Sequence, residues 1–406
     1  MSESEYTDSL HPRTQSYIES TTVNTRKDMG QYFTPQTVIH DLLDELPTEV
    51  FETPGMDILD PSSGTGEFLL AGQERFNNPN LEGWELDSEL VDISREILPE
   101  ETSILNTNSL YETPTKEYDV IIGNPPYYEL KLNDDIREEF GEVIYGRTNI
   151  YSLFIYKSLQ MLKDGGYLAF VNPPSMNNGA YFKELRKYIV NNCSIEHLSV
   201  HTDTEIFEDA SQSVMYLVLK KGGTHDDYVF SKNGITIFSE SAEYLKSEFD
   251  GKKTLSELGY EVRTGRLVWN KNKGKLRESP SSNTIPILWS KNIVDGELQV
   301  GEEVHNKPQD IEGYEASVGP AVIVNRIVGQ PGQGSIRAAY VDDGMKFVGE
   351  NHVNVITPVA DSEQELTLRE VFKQLNSDKN VKIVQTITGN SQISKTELQE
   401  LFPFEV

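Results

Sequence analysis

Residues 56–68 read MDILDPSSGTGEF and hold the clearest local pattern in the chain. A short apolar run, Met56–Asp60, leads into a turn that contains glycines, and Gly66–Phe76 then has the character of a helix. Glycines let the backbone approach a ligand closely, and a helix N-terminus offers amide groups that can bind it. Gly-x-Gly alone is a weak signal, because most instances are ordinary turns. The surrounding sequence must therefore decide whether this turn binds a nucleotide.

The alternation of strand and helix continues to about residue 220. The predicted strands are 81–87, 103–108, 118–123, 167–172, 194–201 and 213–221, and the predicted helices are 88–98, 149–162 and 180–191. Such alternation is typical of βαβ units with helices on both faces of a sheet. No helix separates the last two strands, so we expect them to pair antiparallel at the sheet edge. We predict an α/β fold with a Rossmann-like, mostly parallel sheet.

The regular pattern stops near Lys220–Gly223, and an irregular sequence follows an acidic stretch that ends at Asp250. We therefore place a domain boundary near residues 225–250. The predicted organisation is an N-terminal extension (1–28), a main α/β domain (29–235) and a second, irregular α+β domain (236–406). A chain of 406 residues is long enough for two domains.

Composition sets limits on the class of protein. The apolar runs are too short to cross a bilayer, and the N-terminus has no apolar signal segment, so a cytoplasmic protein is expected. Cys193 is the single cysteine, and the seven histidines have no metal-ligand spacing, so we expect no metal. The net charge of −29 argues against DNA when taken alone, but net charge does not describe local patches. A halophilic source would account for the acidity.

One segment is basic in this acidic chain. Between residues 252 and 277 the sequence contains eight lysines and arginines but only two glutamates, and Trp269 lies among them. A charge run is usually a solvated face. Because this one stands out, we favour a nucleic-acid contact made by Arg263, Arg266, Trp269, Lys271 and Lys273.

An acidic residue strengthens the nucleotide interpretation of the glycine turn. Glu85 lies at the end of the second predicted strand, about 20 residues after the turn, where an acid can bind ribose hydroxyls. The alternative is a solvated acidic pair at a strand end. Turn and acid together favour a nucleoside ligand.

The run YDVIIGNPPY, residues 118–127, is the most informative part of the sequence. A strand delivers Asn124, two prolines and Tyr127 to the carboxyl edge of the sheet, where α/β proteins bind ligands. The prolines stiffen the turn and lack amide hydrogens, so their carbonyls can face a substrate without competing donors. The alternative is a stiff loop with a packed tyrosine.

At these residues the sequence resembles the γ-class amino-methyltransferases of DNA, which act on adenine. The resemblance covers about the first 220 residues, including QYFTP at 31–35 before the glycine turn. It implies a methyltransferase sheet with S-adenosyl-methionine as cofactor, and a DNA target-recognition domain at 236–406. It implies a catalytic loop at Asn124, Pro125, Pro126 and Tyr127, with Phe207 as a second aromatic residue. The implied cofactor-binding residues are Tyr32, Thr34, Asp60, Pro61, Ser62, Gly64, Gly66, Glu85, Asn108 and Asn124.

The chemistry explains these residue types. The adenine amine is a poor nucleophile, because its lone pair is delocalised into the ring. The Asn124 side-chain oxygen and the Pro125 carbonyl can each accept one amine hydrogen and stabilise the developing positive charge. The base must leave the duplex to be reached, and the ring of Tyr127 can then stack on it. Phe207 could equally be a core phenylalanine.

One position departs from the family. Asn108 stands where an aspartate usually holds the cofactor adenine, and an asparagine can still accept and donate hydrogen bonds there.

Other functions remain open at this point: an RNA adenine methyltransferase, a protein glutamine methyltransferase, or a non-catalytic DNA-specificity subunit. The expected partner is double-stranded DNA, joined in a restriction-modification system by a cognate restriction endonuclease. We expect a monomer.

Overall fold

A computed structural model describes residues 10–201, 213–301, 307–329, 334–387 and 391–406. The chain divides into two compact units. The first comprises Met1–Val229 and Phe238–Glu240, and the second comprises Phe230–Ile237 and Ser241–Val406. Within the described residues, no helix is both long enough and apolar enough to span a membrane.

A seven-stranded sheet forms the centre of the first unit. Its strands are β1 Asp57–Asp60, β2 Asn80–Glu85, β3 Ser103–Asn106, β4 Tyr118–Gly123, β5 Leu162–Asn172, β6 Cys193–His201 and β7 Val214–Lys221. Their order is β3-β2-β1-β4-β5-β7-β6, and β1 to β5 all run parallel to one another. The strand positions and the mostly parallel, Rossmann-like sheet are confirmed.

The end of the sheet is antiparallel, as predicted. β7 pairs antiparallel with both β5 and β6, so it lies between them and β6 forms the edge.

Helices cover both faces of this sheet. They are Pro12–Ser20, Val23–Met29, Gln36–Asp44, Thr48–Glu52, Glu67–Arg75, Ser88–Ile97, Asp134–Phe140, Ile150–Met161 and Lys183–Asn192. Successive residues of β4 face opposite cores: Ile121 packs with the helix Ile150–Met161, whereas Val120 and Ile122 pack with Gln36–Asp44 and Glu67–Arg75. Burial on both faces leaves the carboxyl edge of the strands for function.

The second unit contains helices and mostly antiparallel strands, which confirms the α+β expectation. One sheet has four strands, Tyr260–Thr264, Ala321–Asn325, Ala338–Val341 and Val353–Pro358. Another has five, Leu276–Arg277, Thr284–Leu288, Asp310–Glu312, Ser317–Val318 and Lys346–Gly349. The helices are Ala242–Phe249, Leu368–Leu375, Asp378–Ile387 and Lys395–Glu400. Short strand pairs complete the described chain: Glu129–Leu130 with Thr148–Asn149, Val229–Lys232 with Ile235–Phe238, and Ile293–Val294 with Glu297–Leu298.

Candidate active site

The glycine turn leaves the carboxyl end of β1 and enters the helix Glu67–Arg75. Gly64 and Gly66 have φ angles of +53° and +94°, in the left-handed region that favours glycine. A Cβ on Gly66 would also lie 2.8 Å from Leu98 Cδ1, whereas the space around Gly64 is open. The conformation of the turn therefore requires both glycines, and Gly64 is the one with room beside it.

Glu85 connects this turn to the end of β2. Its Oε2 accepts a hydrogen bond from the Gly64 amide at 2.9 Å, and its Oε1 accepts one from the Asp87 amide at 2.8 Å. Burial raises the pKa of Glu85, while these two amides act in the opposite direction. The carboxylate thus braces the turn, a role that the sequence did not indicate. Each oxygen keeps a lone pair for a ligand.

Asp60 lies beneath the turn rather than at its surface. The side chain is buried, and its Oδ1 accepts a hydrogen bond from the Ser62 amide at 2.9 Å. Burial raises the pKa of Asp60 to about 8. A Cβ on Gly123, at the end of β4, would lie 2.7 Å from Asp60 Oδ1. Gly123 is therefore required where β1 and β4 end side by side, a requirement that the sequence alone did not indicate.

A cavity of about 320 Å³ joins the glycine turn to the catalytic loop. Eight of the predicted residues line it: Tyr32, Pro61, Ser62, Gly64, Glu85, Asn108, Asn124 and Pro126. The Ser62 Oγ is buried and has no hydrogen-bond partner in the described chain. An unpaired buried hydroxyl beside a carboxylate and an open glycine suits a polar nucleoside ligand, and the volume is in the range of small-molecule sites. These residues fit S-adenosyl-methionine.

The other predicted residues of this group are not among those that line the cavity. They are Thr34, Asp60, Gly66, Pro125 and Tyr127. Phe207 lies outside the described residues.

Asn108 contributes a donor to the cavity. Its Oδ1 accepts a hydrogen bond from the Leu110 amide at 3.2 Å, and its Nδ2 has no partner in the described chain. The oxygen thus stabilises the local turn, while the amide nitrogen is left for a ligand. Leu86, which is 67% exposed, also lines the cavity and was not predicted.

Part of the predicted N-terminal extension packs against the cofactor turn. Thr14 Oγ1 donates to Thr65 Oγ1 at 2.9 Å, and the His11 amide donates to Glu67 Oε1 at 3.0 Å. Tyr17 packs with Leu90 in a small core cluster. The helix Pro12–Ser20 therefore supports the site, and only the isolated aromatic Tyr17 could have indicated this from the sequence.

Both ends of the Asn124 carboxamide are held. Its Nδ2 donates to Thr34 Oγ1 at 2.9 Å, and its Oδ1 accepts a hydrogen bond from the Tyr127 hydroxyl. Thr34 is buried. It was predicted as a cofactor contact, and in the structure it contacts the catalytic loop. The contacts with Thr34 and Tyr127 together orient the amide.

Tyr127 lies in an aromatic cluster. Its ring stacks on Tyr32 with centroids 6.1 Å apart, and it meets Tyr151 edge-on at 5.9 Å. Its hydroxyl also lies 2.8 Å from the Val171 carbonyl oxygen. Burial raises the pKa of Tyr127 well above its ordinary value, so the hydroxyl stays protonated and acts as a donor. The next residue, Tyr128, is 43% exposed and lines the cavity.

The predicted DNA-binding segment is only partly free of ion pairs. Arg263 pairs with Glu261 at 2.7 Å, and Arg266 pairs with Glu315 at 2.9 Å. By contrast, Lys271 and Lys273 are exposed and have no carboxylate partner among the described residues.

An aromatic pair lies next to these lysines. Trp269 packs edge-on against Trp289 with centroids 6.2 Å apart, and the Nζ atoms of Lys273 and Lys307 lie 5.8 and 5.4 Å from the Trp269 ring. The structure therefore brings Trp269, Lys271 and Lys273 together on consecutive turns.

Comparison with known proteins agrees with this site. Residues 57–207 match the family described as Eco57I restriction-modification methylase. The chain is 29% identical to the modification methylase CviBIII of Paramecium bursaria Chlorella virus NC1A, over 73% of this chain and 74% of the relative. It is 23% identical to the type II methyltransferase M.BsuBI of Bacillus subtilis, over 93% and 88% of the two chains.

A third relative spans almost the whole chain. The type II methyltransferase M.CvrRI of Paramecium bursaria Chlorella virus XZ-6E is 24% identical over 93% of this chain and 94% of its own. The family match covers β1 to β6 and the catalytic loop, and the relatives extend the similarity into the second unit. The chain is an S-adenosyl-methionine-dependent DNA methyltransferase that is similar to the modification methylases of restriction-modification systems.

Proposed function

We propose that this chain methylates the exocyclic N6 amine of adenine in duplex DNA after the base has left the helix. The observation that carries the proposal is the carboxamide of Asn124, whose orientation Thr34 and Tyr127 fix at the wall of the cavity. S-adenosyl-methionine supplies an electrophilic methyl group on a sulfonium centre.

Two acceptors at the end of β4 match the two hydrogens of an amine. Asn124 Oδ1 accepts one hydrogen and the Pro125 carbonyl accepts the other. The nitrogen then moves toward tetrahedral geometry, and its lone pair becomes available for attack on the methyl group. Because the acceptors are fixed beforehand, they stabilise positive charge without reorganisation.

Thr34 helps to orient the Asn124 carboxamide. An asparagine side chain can rotate so that its NH₂ group replaces its oxygen, and a donor would then face the amine hydrogens. The Thr34 hydroxyl accepts from Nδ2 and the Tyr127 hydroxyl donates to Oδ1, so the two contacts together favour the orientation in which the oxygen is the acceptor.

The Tyr127 hydroxyl occupies one lone pair of Asn124 Oδ1. A carboxamide oxygen has two lone pairs, so the amine can bind the second while Tyr127 holds the first. Alternatively, the ring of Tyr127 leaves its aromatic cluster to stack on the base, and the hydroxyl is released. In both routes the Tyr127 hydroxyl orients Asn124 Oδ1 before the base binds.

A flipped base is required for access. The amine of a paired adenine cannot reach a wall that lies within the first unit, and enzymes that modify a base take it out of the stack. We propose adenine rather than cytosine as the target base because the Asn-Pro-Pro-Tyr loop resembles that of the adenine-specific γ-class.

We propose that the second unit recognises the DNA target. Trp269, Lys271 and Lys273 offer exposed positive charge and an aromatic face, which suit phosphate contact and stacking. A cognate restriction endonuclease would recognise the same sequence, as a separate partner.

The test is transfer of labelled methyl groups from S-adenosyl-methionine to duplex DNA, followed by hydrolysis and mass spectrometry of the bases. We expect label in N6-methyladenine. Label in N4-methylcytosine would contradict the choice of base. Label in RNA or in protein glutamine, and none in DNA, would contradict the substrate class.

A further inference from the structure

A second Asn-Pro-Pro turn lies next to the catalytic one. Asn172 ends β5 and is followed by Pro173 and Pro174, as Asn124 follows β4 and precedes its own two prolines. β4 and β5 are parallel neighbours, and Gly123 pairs with Phe170. The two turns therefore leave the same edge of the sheet from adjacent strands.

The side chain of Asn172 is completely buried, yet neither Oδ1 nor Nδ2 has a hydrogen-bond partner in the described chain. Buried carboxamides are almost always paired, because an unpaired polar group loses its hydrogen bonds to water without compensation. Asn124, in contrast, has partners for both atoms. The Asn172 amide is therefore available for a partner from outside the chain at the edge of the sheet that carries the catalytic loop.

Asn172 faces the side of the sheet on which Tyr127 lies. Leu168 and Phe170 of β5 belong to the core cluster against which Tyr127 packs. Side chains two residues apart on a strand share a face, so Asn172 lies on that side as well. The carbonyl of the preceding residue, Val171, lies 2.8 Å from the Tyr127 hydroxyl. Asn172 is therefore one residue from a direct contact with the catalytic loop.

We propose that the Asn172 carboxamide binds the target base by donating a hydrogen bond from Nδ2 to one of its ring nitrogens. This inference rests on the proposed function. Asn124 and Pro125 take both hydrogens of the amine, so the remaining polar atoms of adenine are ring nitrogens, which only accept. A donor is needed to hold them, and Asn172 is a carboxamide with an unused donor at this edge.

A variant of similar size separates binding from folding. Asn172→Leu removes both polar atoms, and replacing an unpaired polar group by an apolar one is neutral or stabilising. The melting temperature and S-adenosyl-methionine affinity should therefore be kept, whereas methyl transfer to DNA should fall on the order of tenfold, the value of one lost hydrogen bond. Asn177→Leu is the control, because Asn177 is also buried with an unpaired Oδ1 in the turn after β5. That variant should keep full transfer.

Base analogues then identify the contact. The target adenine, once mapped with wild-type protein, is replaced by 1-deaza-, 3-deaza- or 7-deazaadenine, each lacking one ring acceptor. One of these should slow wild-type transfer by about the same factor as Asn172→Leu, and combining the two should cost no more than either alone. The assignment of Asn172 would be overturned if Asn172→Leu kept full transfer, or if each of the three analogues lowered transfer independently of Asn172→Leu. Neither result would overturn the proposed function. Absence of any transfer by wild-type protein would overturn the proposed function, and this inference with it.

Discussion

The hydroxyl of Tyr127 donates a hydrogen bond to the side-chain oxygen of Asn124, so both residues of the catalytic loop act on one atom. From the sequence, Asn124 is expected to activate the amine and Tyr127 to stack on the base through its ring. The structure adds a direct link between the two roles. It also changes what substitutions at Tyr127 should do.

Tyr127→Phe should lower turnover more than the sequence suggests. A phenylalanine keeps the ring face for stacking, but it loses the donor that holds Asn124 Oδ1. We expect kcat to fall on the order of tenfold, as for one neutral hydrogen bond, while KM for DNA changes little. Steady-state kinetics with duplex DNA measure both constants. Tyr127→Ala serves for comparison, because loss of the ring should also raise KM. Wild-type kcat in Tyr127→Phe would rule out the positioning role of the hydroxyl.

Thr34→Val should impair catalysis without weakening cofactor binding. Valine has the shape of threonine but lacks the hydroxyl that accepts from Asn124 Nδ2, so the amide becomes free to turn. Turnover should fall about tenfold, and Thr34→Ser, which keeps a hydroxyl, should restore most of it. Calorimetric titration with S-adenosyl-methionine should give the wild-type affinity for both variants. A weaker affinity in Thr34→Val with unchanged kcat would support the original expectation of a cofactor contact.

Asp60 should make folding stability depend on pH. Burial favours its neutral carboxyl and raises its pKa from the ordinary 3.8 to about 8. The stabilisation is complete below the unfolded pKa and is lost as the pH rises through about 8. Asp60→Asn keeps an oxygen for the Ser62 amide but cannot ionise, so its melting temperature should exceed that of the wild type by a few degrees near pH 9 and much less near pH 5. Asp135→Asn, on an exposed helix start, should follow the wild type. An equal difference at both pH values would contradict this account.

The lysines and arginines of the second unit should differ in their effect on DNA binding. Lys271→Gln with Lys273→Gln removes exposed charges without carboxylate partners, so affinity should drop and the salt dependence should flatten by about 0.9 in log–log slope per lost phosphate contact. Arg263→Gln with Arg266→Gln is the matched pair, and its effect should be smaller, because Glu261 and Glu315 already neutralise these arginines. Titrations over a range of salt concentrations decide the matter. A larger effect from the arginine pair would reverse the assignment.

The sequence predicted the sheet well because its central strands are buried on both faces. Such strands, of which β4 is an example, carry apolar residues on both faces, and this pattern is visible in the sequence. It also predicted eight residues of the cavity wall, since strand ends and glycine turns are local features. Contacts between segments that are far apart in the chain could not be predicted from the sequence. Arg266 meets Glu315 across 49 positions, and Thr34 meets Asn124 across 90. No local pattern encodes such contacts, so the role of Thr34 and the neutralised arginine became clear only in three dimensions.

The most direct test of the account is single-turnover methyl transfer by Asn124→Ala. This variant loses the acceptor that acts on the amine, so transfer to DNA should fall by about a hundredfold or more, the usual cost of one preorganised hydrogen bond in catalysis. Equilibrium binding of S-adenosyl-methionine and of DNA, measured on the same preparation, should stay close to wild type, because the lost interaction matters most in the transition state. Near-normal transfer by Asn124→Ala would contradict the proposed mechanism even if the product were N6-methyladenine.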